Sequence, residues 1–330
     1  MPLISVVIPV FNGERTIQET IESVLNQTCS DFEIIVINDG SQDSTLQIVS
    51  NISDPRLRVL TYPNAGLAVS RNRGITEATG EYVAFLDADD LWTPDKLEAQ
   101  LNRLQENPKA AVAYSWTDFI DESGGFVRPA AHFTISGNVF TRLLLTNFLD
   151  NGSNPLICRQ ALIEVGGLDE SLKAAEDWDL YLRLAARYPF VVVTSPQVLY
   201  RVSEDSMSVN VFRQETETLK VINKVFSQAP ESLKYLRSYS LANVYKYLTF
   251  KALNGTPIRK RGLVAIKFLL LAIINEPSLT RKRVIWKVLF KSLIVILLPH
   301  SLARHLLEKM NHLANLETLL IHIRAEIPST

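Results

Sequence analysis

Short runs rich in β-branched residues alternate with amphipathic helical stretches through the first third of this 330-residue chain. In order they are ISVVIPVF, ERTIQETIESVLNQ, EIIVIND, DSTLQIVSNI, LRVLTY and EYVAFLD. A strand, helix, strand succession packs best as a parallel sheet with helices on its faces, which narrows the fold to the α/β class. In the first helix Ile17, Ile21, Val24 and Leu25 share a face, and Thr16 with Glu19 has the spacing of a capping box. Thr93 and Pro94 are expected to open a later helix as N-cap and first residue, with Leu97, Leu101 and Leu104 on one face.

Sheets of this kind hold ligands outside the carboxyl ends of their strands. Two acidic clusters fall at such ends, Asp39 in VINDGSQDST and Asp87 with Asp89 in FLDADD. Ionised carboxylates beside an apolar strand end are costly unless they are paired or coordinated. An Asp-x-Asp turn suits a hard divalent cation, Mg²⁺ or Mn²⁺, that takes one or two carboxylates and completes its shell with phosphate oxygens. The structural alternative makes Asp89 and Asp90 solvated turn residues ahead of the helix.

Further along, AAVAYSWTDFID reads as another strand. Glu176 and Asp177 open a helix on which Trp178, Tyr181, Leu182 and Ala185 share a face, and from about Phe212 the pattern is helical to the end. Gly166 and Gly167 either supply a turn or shape a pocket. Asp43 reads as a helix-start residue and His132 as a surface residue.

Composition excludes several classes. With 47% hydrophobic and 21% charged residues the chain is not disordered. Two distant cysteines, Cys29 and Cys158, provide neither a zinc site nor a disulfide framework, and point to a reducing cytoplasm, where the Asn-x-Ser/Thr triplets at Asn26, Asn51, Asn151 and Asn254 carry no weight. MPLISVVIPVF has no basic start or small-residue cleavage site, so it reads as a strand rather than as a signal or targeting segment.

The segments ISVVIPVFNGERTIQETIESVLNQT, EIIVINDGSQDST, NAGLAVSRNRGITEATGEYVAFLDADD and VGGLDESLKAAEDWDLYLRLA, taken together and in this order, resemble the family 2 glycosyltransferases over about residues 3 to 202. The resemblance implies a GT-A fold, Rossmann-like in its nucleotide-sugar half, and the helical pattern from about Phe212 adds a mainly helical C-terminal extension. Together these divide the chain into a glycosyltransferase domain, 1–211, with a nucleotide-sugar half, 1–109, and an acceptor half, 110–211, followed by a helical region, 212–330. The resemblance also implies inverting transfer from a UDP-, GDP- or dTDP-linked donor to a glycan or lipid-linked acceptor in envelope or exopolysaccharide synthesis, assisted by Mg²⁺ or Mn²⁺. By similarity, Pro9 and Asn12 line the nucleotide pocket, Asp39 reaches the base or ribose, and Arg71 lies near the diphosphate or the pocket floor. Asp87 turns to the ribose, Asp89 to the metal, and Asp177 is the catalytic base with Glu176 beside it. Trp178 is a wall for a sugar ring or, more simply, helix-face packing, and Arg201 or Ser206 closes over the diphosphate.

Two competing functions fare worse. A sugar nucleotidyltransferase would need a Gly-rich phosphate loop, whereas PVFNGE has a single glycine. A non-catalytic sugar-nucleotide-binding scaffold would be expected to have lost its acids, and the DxD and ED pairs are both present.

The net charge of −1 conceals an imbalance. Residues 259–309 hold eleven Lys or Arg against Glu276 and Glu308, about +9, which leaves about −10 for the rest. These cations are interleaved with aliphatic runs rather than stacking aromatics, which argues against nucleic acid. Within them Arg283, Lys287 and Lys291 recur on one helical face, with Trp286, Leu289, Phe290, Leu293 and Leu297 on the other. The charge-free run 292–303 is 12 residues and contains a proline, too short to span a bilayer, which takes roughly 20. The segment is expected either to lie on an anionic membrane at its cytoplasmic face or to pack its apolar side on the rest of the chain.

Overall fold

In the computed structural model, residues 2–202, 210–254, 256–310, 316–323 and 325 are described, and Ser206 lies outside them. They divide into two compact units, Met1–Phe140 with Phe148–Ser203 and Thr141–Asn147 with Glu204–Thr330.

The first unit is built on one sheet. Its strands are β1 (Ile4–Val10), β2 (Phe32–Asn38), β3 (Leu57–Thr61), β4 (Tyr82–Phe85), β5 (Leu91–Trp92), β6 (Val112–Ile120), β7 (Phe126–Pro129), β8 (Leu156–Cys158) and β9 (Phe190–Arg201). They run in the order β3-β2-β1-β4-β8-β6-β9-β5, and β7 pairs with β6. ISVVIPV is buried at all seven positions, as a central strand covered on both faces must be. It pairs in parallel with β2 and with β4, while β8 is antiparallel to β4. Val10 lies opposite Asn38 and Val7 opposite Phe85. The residues just beyond β2 and β4 therefore emerge on either side of the end of β1.

The helices of this unit are α1 (Ile17–Leu25), α2 (Thr45–Ser50), α3 (Leu67–Glu77), α4 (Lys96–Glu106), α5 (Phe140–Leu143, whose last three residues belong to the second unit), α6 (Arg159–Val165) and α7 (Glu176–Ala185). Ile17, Ile21 and Val24 of α1 and Leu97, Leu101 and Leu104 of α4 are buried, as their spacing predicts.

Two helix starts differ from expectation. No capping box forms on α1, because the Thr16 hydroxyl donates to the carbonyl of Ala88 at 2.8 Å and Glu19 pairs with Arg201 at 2.7 Å. The helix α4 starts after Asp95 rather than at Pro94, and Thr93 donates to the Asp95 carboxylate at 2.7 Å. Gly166 and Gly167, both at positive φ, do supply a turn, at the end of α6. His132 is not simply solvated: it stacks on Trp116 with ring centroids 4.7 Å apart, and its Nε2 lies 2.8 Å from Asp118.

The second unit is helical, with α8 (Val211–Gln228), α9 (Leu236–Leu253), α10 (Arg259–Asn275), α11 (Arg283–Leu297), α12 (His300–Lys309) and α13 (Glu317–Leu320). Among its buried groups, Lys246 of α9 meets Glu276 at 2.6 Å. No described helix is long and apolar enough to cross a membrane. Lys291 departs from the expectation of a solvated basic face, for it is 8% exposed and its amine is pulled down to about 8 by burial. The helices α10 and α11 cross closely at Gly262, where a Cβ would come within 2.8 Å of Ile296. The buried face of α11 holds Val284, Ile285, Val288, Ser292, Ile294 and Val295, and Lys291 is buried with it.

Candidate active site

Everything in this site lies in the first unit. At the end of β1, Pro9 is buried opposite Ile37, and Asn12 turns the chain at φ 53. The Asn12 amide N–H donates to Ser41 Oγ at 3.0 Å, and its side-chain oxygen accepts from the N–H of Gln42 at 2.8 Å, so the loops after β1 and β2 are stitched together. A cleft of about 370 Å³ lined by Asn12, Glu14, Arg15, Gln42 and Asp43 opens here. Asp43 accepts from the N–H and hydroxyl of Thr45 at the start of α2.

Asp39 emerges beside Asn12. Its N–H donates to the carbonyl of Val10 at 2.8 Å, and its carboxylate accepts from the N–H groups of Ala65 (3.0 Å) and Gly66 (2.8 Å) and pairs with Arg73 at 3.0 Å. It thus sets the turn into α3.

On the other side of β1, β4 delivers Asp87, Asp89 and Asp90. Asp90 is fully buried, not a solvated turn residue. Its carboxylate accepts from the hydroxyl of Ser153 at 2.6 Å and from the N–H of Arg201 at 3.0 Å, and burial, with Asp89 and Asp87 nearby, pushes it well above the usual carboxylate range. Ser153 also accepts from the N–H of Asp87 at 3.0 Å, so one hydroxyl spans both ends of the acidic turn.

Arg71 of α3 lies beneath that turn, 2% exposed. Its guanidinium donates to Asp87 at 2.6 Å and to Glu176 at 3.0 Å. Burial works against its charge, but the two carboxylates outweigh it and hold the group above its ordinary range. Gly152 is required alongside, since a Cβ there would collide with the Arg71 guanidinium, which its two carboxylates hold in place.

Glu176 and Asp177 begin α7, after Ala175 at φ 58. A non-glycine residue in that region costs about 1–3 kcal/mol, strain of the kind found where a turn must aim functional groups. The Asp177 carboxyl is pushed up to about 7 by burial and by Glu176, against the opposing pull of Arg71 and the Trp178 N–H, 2.7 Å away. Trp178 is 5% exposed, so its ring packs inside the unit and presents no open face to a sugar.

Sequence reasoning missed three residues. Ser153 and Asp90 carry no periodic signal, since only the fold shows that they are buried against each other. Asp150, at φ 71, is exposed and feels the charges of Arg128 and Asp177; its place in LDNGSN, a turn-rich stretch, was the available signal. Arg201 differs from expectation. Its guanidinium donates to the carbonyls of Asp89 (2.8 Å), Asp121 (3.2 Å) and Glu122 (2.8 Å) and to Glu19 (2.7 Å), so it latches the acidic turn instead of standing open for a diphosphate.

The donor set fits a divalent cation in one respect. Among the described residues Asp89 has no side-chain partner, and burial with Asp87 nearby pushes its carboxyl up to about 6, a group that a hard cation would relieve. No cluster of three ligating side chains accompanies it among the described residues. The remaining ligands would be phosphate oxygens and water.

Comparison with known proteins bears on this geometry. The model of "Glycosyltransferase like family 2" matches residues 5–252. An uncharacterized glycosyltransferase of Rickettsia bellii (strain RML369-C) is 34% identical over 245 residues, 73% of this chain and 33% of that relative. A chondroitin synthase of Escherichia coli is 28% identical over 260 residues, 77% of this chain and 37% of that one. The chain thus spans about a third of the length of these curated relatives. TarS 1-349 of S. aureus in complex with UDP-GlcNAc superposes with a TM-score of 0.55 at 19% identity, over 98% of this chain and 90% of that chain. The shared fold is GT-A, as the sequence resemblance implies.

Proposed function

Because the chain belongs to glycosyltransferase family 2, we propose that it moves a sugar from a nucleoside diphosphate to an acceptor hydroxyl with inversion at the anomeric carbon. The likeness to a chondroitin synthase supports a polysaccharide or lipid-linked acceptor, and the UDP-GlcNAc complex of the structural neighbour favours UDP among the UDP, GDP and dTDP donors.

In this reading residues 1–109 hold the donor, 110–211 the acceptor, and 212–330 form a helical region that keeps the enzyme at the cytoplasmic membrane face. Pro9, Asn12 and Asp39 form the nucleotide end of the cleft and Asp87 its ribose side, with Arg71 and Glu176 fixing Asp87 from below. Asp89 would hold a divalent cation, which when bound would supply positive charge to the departing diphosphate. The acceptor oxygen attacks the anomeric carbon from the face opposite the diphosphate, and its proton passes to Asp177, a single displacement that inverts configuration.

One observation carries the reading: Asp177 opens α7 directly after Glu176, which Arg71 ties to Asp87 of the acidic turn, and burial and Glu176 raise its carboxyl, which suits a base working near neutral pH. The test is Asp177→Asn, which keeps shape and hydrogen bonding but cannot take a proton. Transfer is expected to collapse while donor affinity stays near that of the wild type. Undiminished transfer would assign the base to another group.

A further inference from the structure

The membrane location proposed above leaves open which surface does the docking. The helix α11 buries Ile285 and Ile294 but leaves four bulky apolar side chains in the open: Trp286 is 66% exposed, Phe290 48%, Leu293 46% and Leu297 72%. Spaced i, i+4, i+7 and i+11, they form one continuous stripe along a helix about 22 Å long at 1.5 Å per residue. The neighbouring α10 adds Leu263, Leu270 and Ile274, each more than half exposed. A soluble monomer seldom leaves so much aromatic and aliphatic surface in one place.

The ends of these helices are as unusual as their faces. RKR occurs twice, at 259–261 and 281–283, each time at a helix start with no acid in the first turn. Cations oppose the helix dipole there, so neither triad is placed to stabilise its helix. Arg259, Lys260, Arg281, Lys282 and Arg283 are all exposed. The short connection Pro277–Arg281 and the approach of Gly262 to Ile296 run the two helices antiparallel, which sets the triads at opposite ends of the pair.

We propose that the exposed stripe of α11, continued by α10, is a docking surface for an anionic lipid bilayer, with Trp286 and Phe290 entering the headgroup region and the two RKR triads meeting the lipid phosphates. The charge decides the occupant. A second copy of the chain, pairing like face with like face, would gather both sets of triads at one interface, whereas an anionic bilayer neutralises them all. No described helix is fit to span, so the pair lies along the surface.

This inference rests on the membrane location and not on the transfer chemistry, and its test reads binding alone. The full chain is sedimented with vesicles of phosphatidylcholine, with and without phosphatidylglycerol, at low and high salt. The wild type is expected to bind only the anionic vesicles, to release with salt, and to show a blue-shifted tryptophan emission when bound. Trp286→Ser with Phe290→Ser, both at exposed positions and checked by far-UV circular dichroism, is expected to lower the partition coefficient by at least about tenfold and to abolish the shift. Replacing Arg281, Lys282 and Arg283 with Gln is expected to remove about half of the salt dependence, and an unchanged salt dependence would take this triad off the lipid surface. If the wild type binds anionic vesicles and the double variant binds them equally well, this surface is wrong and the membrane location stands. Wild-type binding to neither vesicle, or to both alike, overturns both. A wild-type dimer in sedimentation velocity that the double variant loses would assign the stripe to a second copy instead.

Discussion

Arg71 and Glu176 stand 105 positions apart in the chain and meet at 3.0 Å, tying α3 to the first turn of α7. The same guanidinium holds Asp87 at 2.6 Å, so one buried cation fixes the acidic turn after β4 relative to the helix that presents Asp177.

Arg71→Met leaves Asp87 and Glu176 buried without their counter-ion, a change expected to cost about 3–5 kcal/mol. Arg71→Lys has no fork to reach both carboxylates and is expected to fall between the variant and the wild type. Thermal melts of the three proteins check the order, and equal melting temperatures would remove Arg71 from its structural role.

Catalysis should follow the state of Asp177. A base must be ionised, so transfer is expected to rise with pH through about 7 and level off above it. Asp177→Asn is expected to lower the rate by about 10² to 10⁴ and to flatten this limb of the profile. A pH series of initial rates decides.

The same carboxyl affects stability in the opposite sense. Its position at about 7, against an ordinary 3.8, means that between these values the folded chain binds more protons than the unfolded chain, so stability falls as pH rises from about 4 to 7. Asp177→Asn removes the burdened charge. Its stability advantage is expected to grow over that window and plateau above about 7, at about 1 to 4 kcal/mol given about 1.4 kcal/mol per pK unit, and denaturant melts across the window check it.

Metal removal tests Asp89. EDTA is expected to stop transfer by the wild type, and Asp89→Asn is expected to stay inactive when Mn²⁺ is restored while melting normally. Full turnover in EDTA would detach the acidic turn from any cation.

How far the sequence disclosed this arrangement depended on the range of the interaction. The alternation of ISVVIPV with helical periods marks the parallel sheet, and the aspartates after β2 and β4 fall at its strand ends, because both patterns are local. The burial of Asp90 was illegible, since its partners Ser153 and Arg201 lie 63 and 111 positions away. Thr16 and Glu19 mimic a capping box, yet Ala88 and Arg201 claim their side chains. On α11 the amphipathic pattern was plain, but which face turns outward depends on its packing in the second unit, which no periodicity encodes.

The most direct measurement is nucleoside diphosphate release from a panel of UDP-, GDP- and dTDP-sugars with Mn²⁺, run on the wild type and Asp177→Asn side by side, with donor binding followed by calorimetry. The account predicts that the wild type turns over at least one donor, UDP-linked sugars first, and that Asp177→Asn binds that donor equally well while releasing product about 10² to 10⁴ times more slowly. Turnover by Asp177→Asn at the wild-type rate, or neither binding nor turnover of any donor by the wild type, would contradict it.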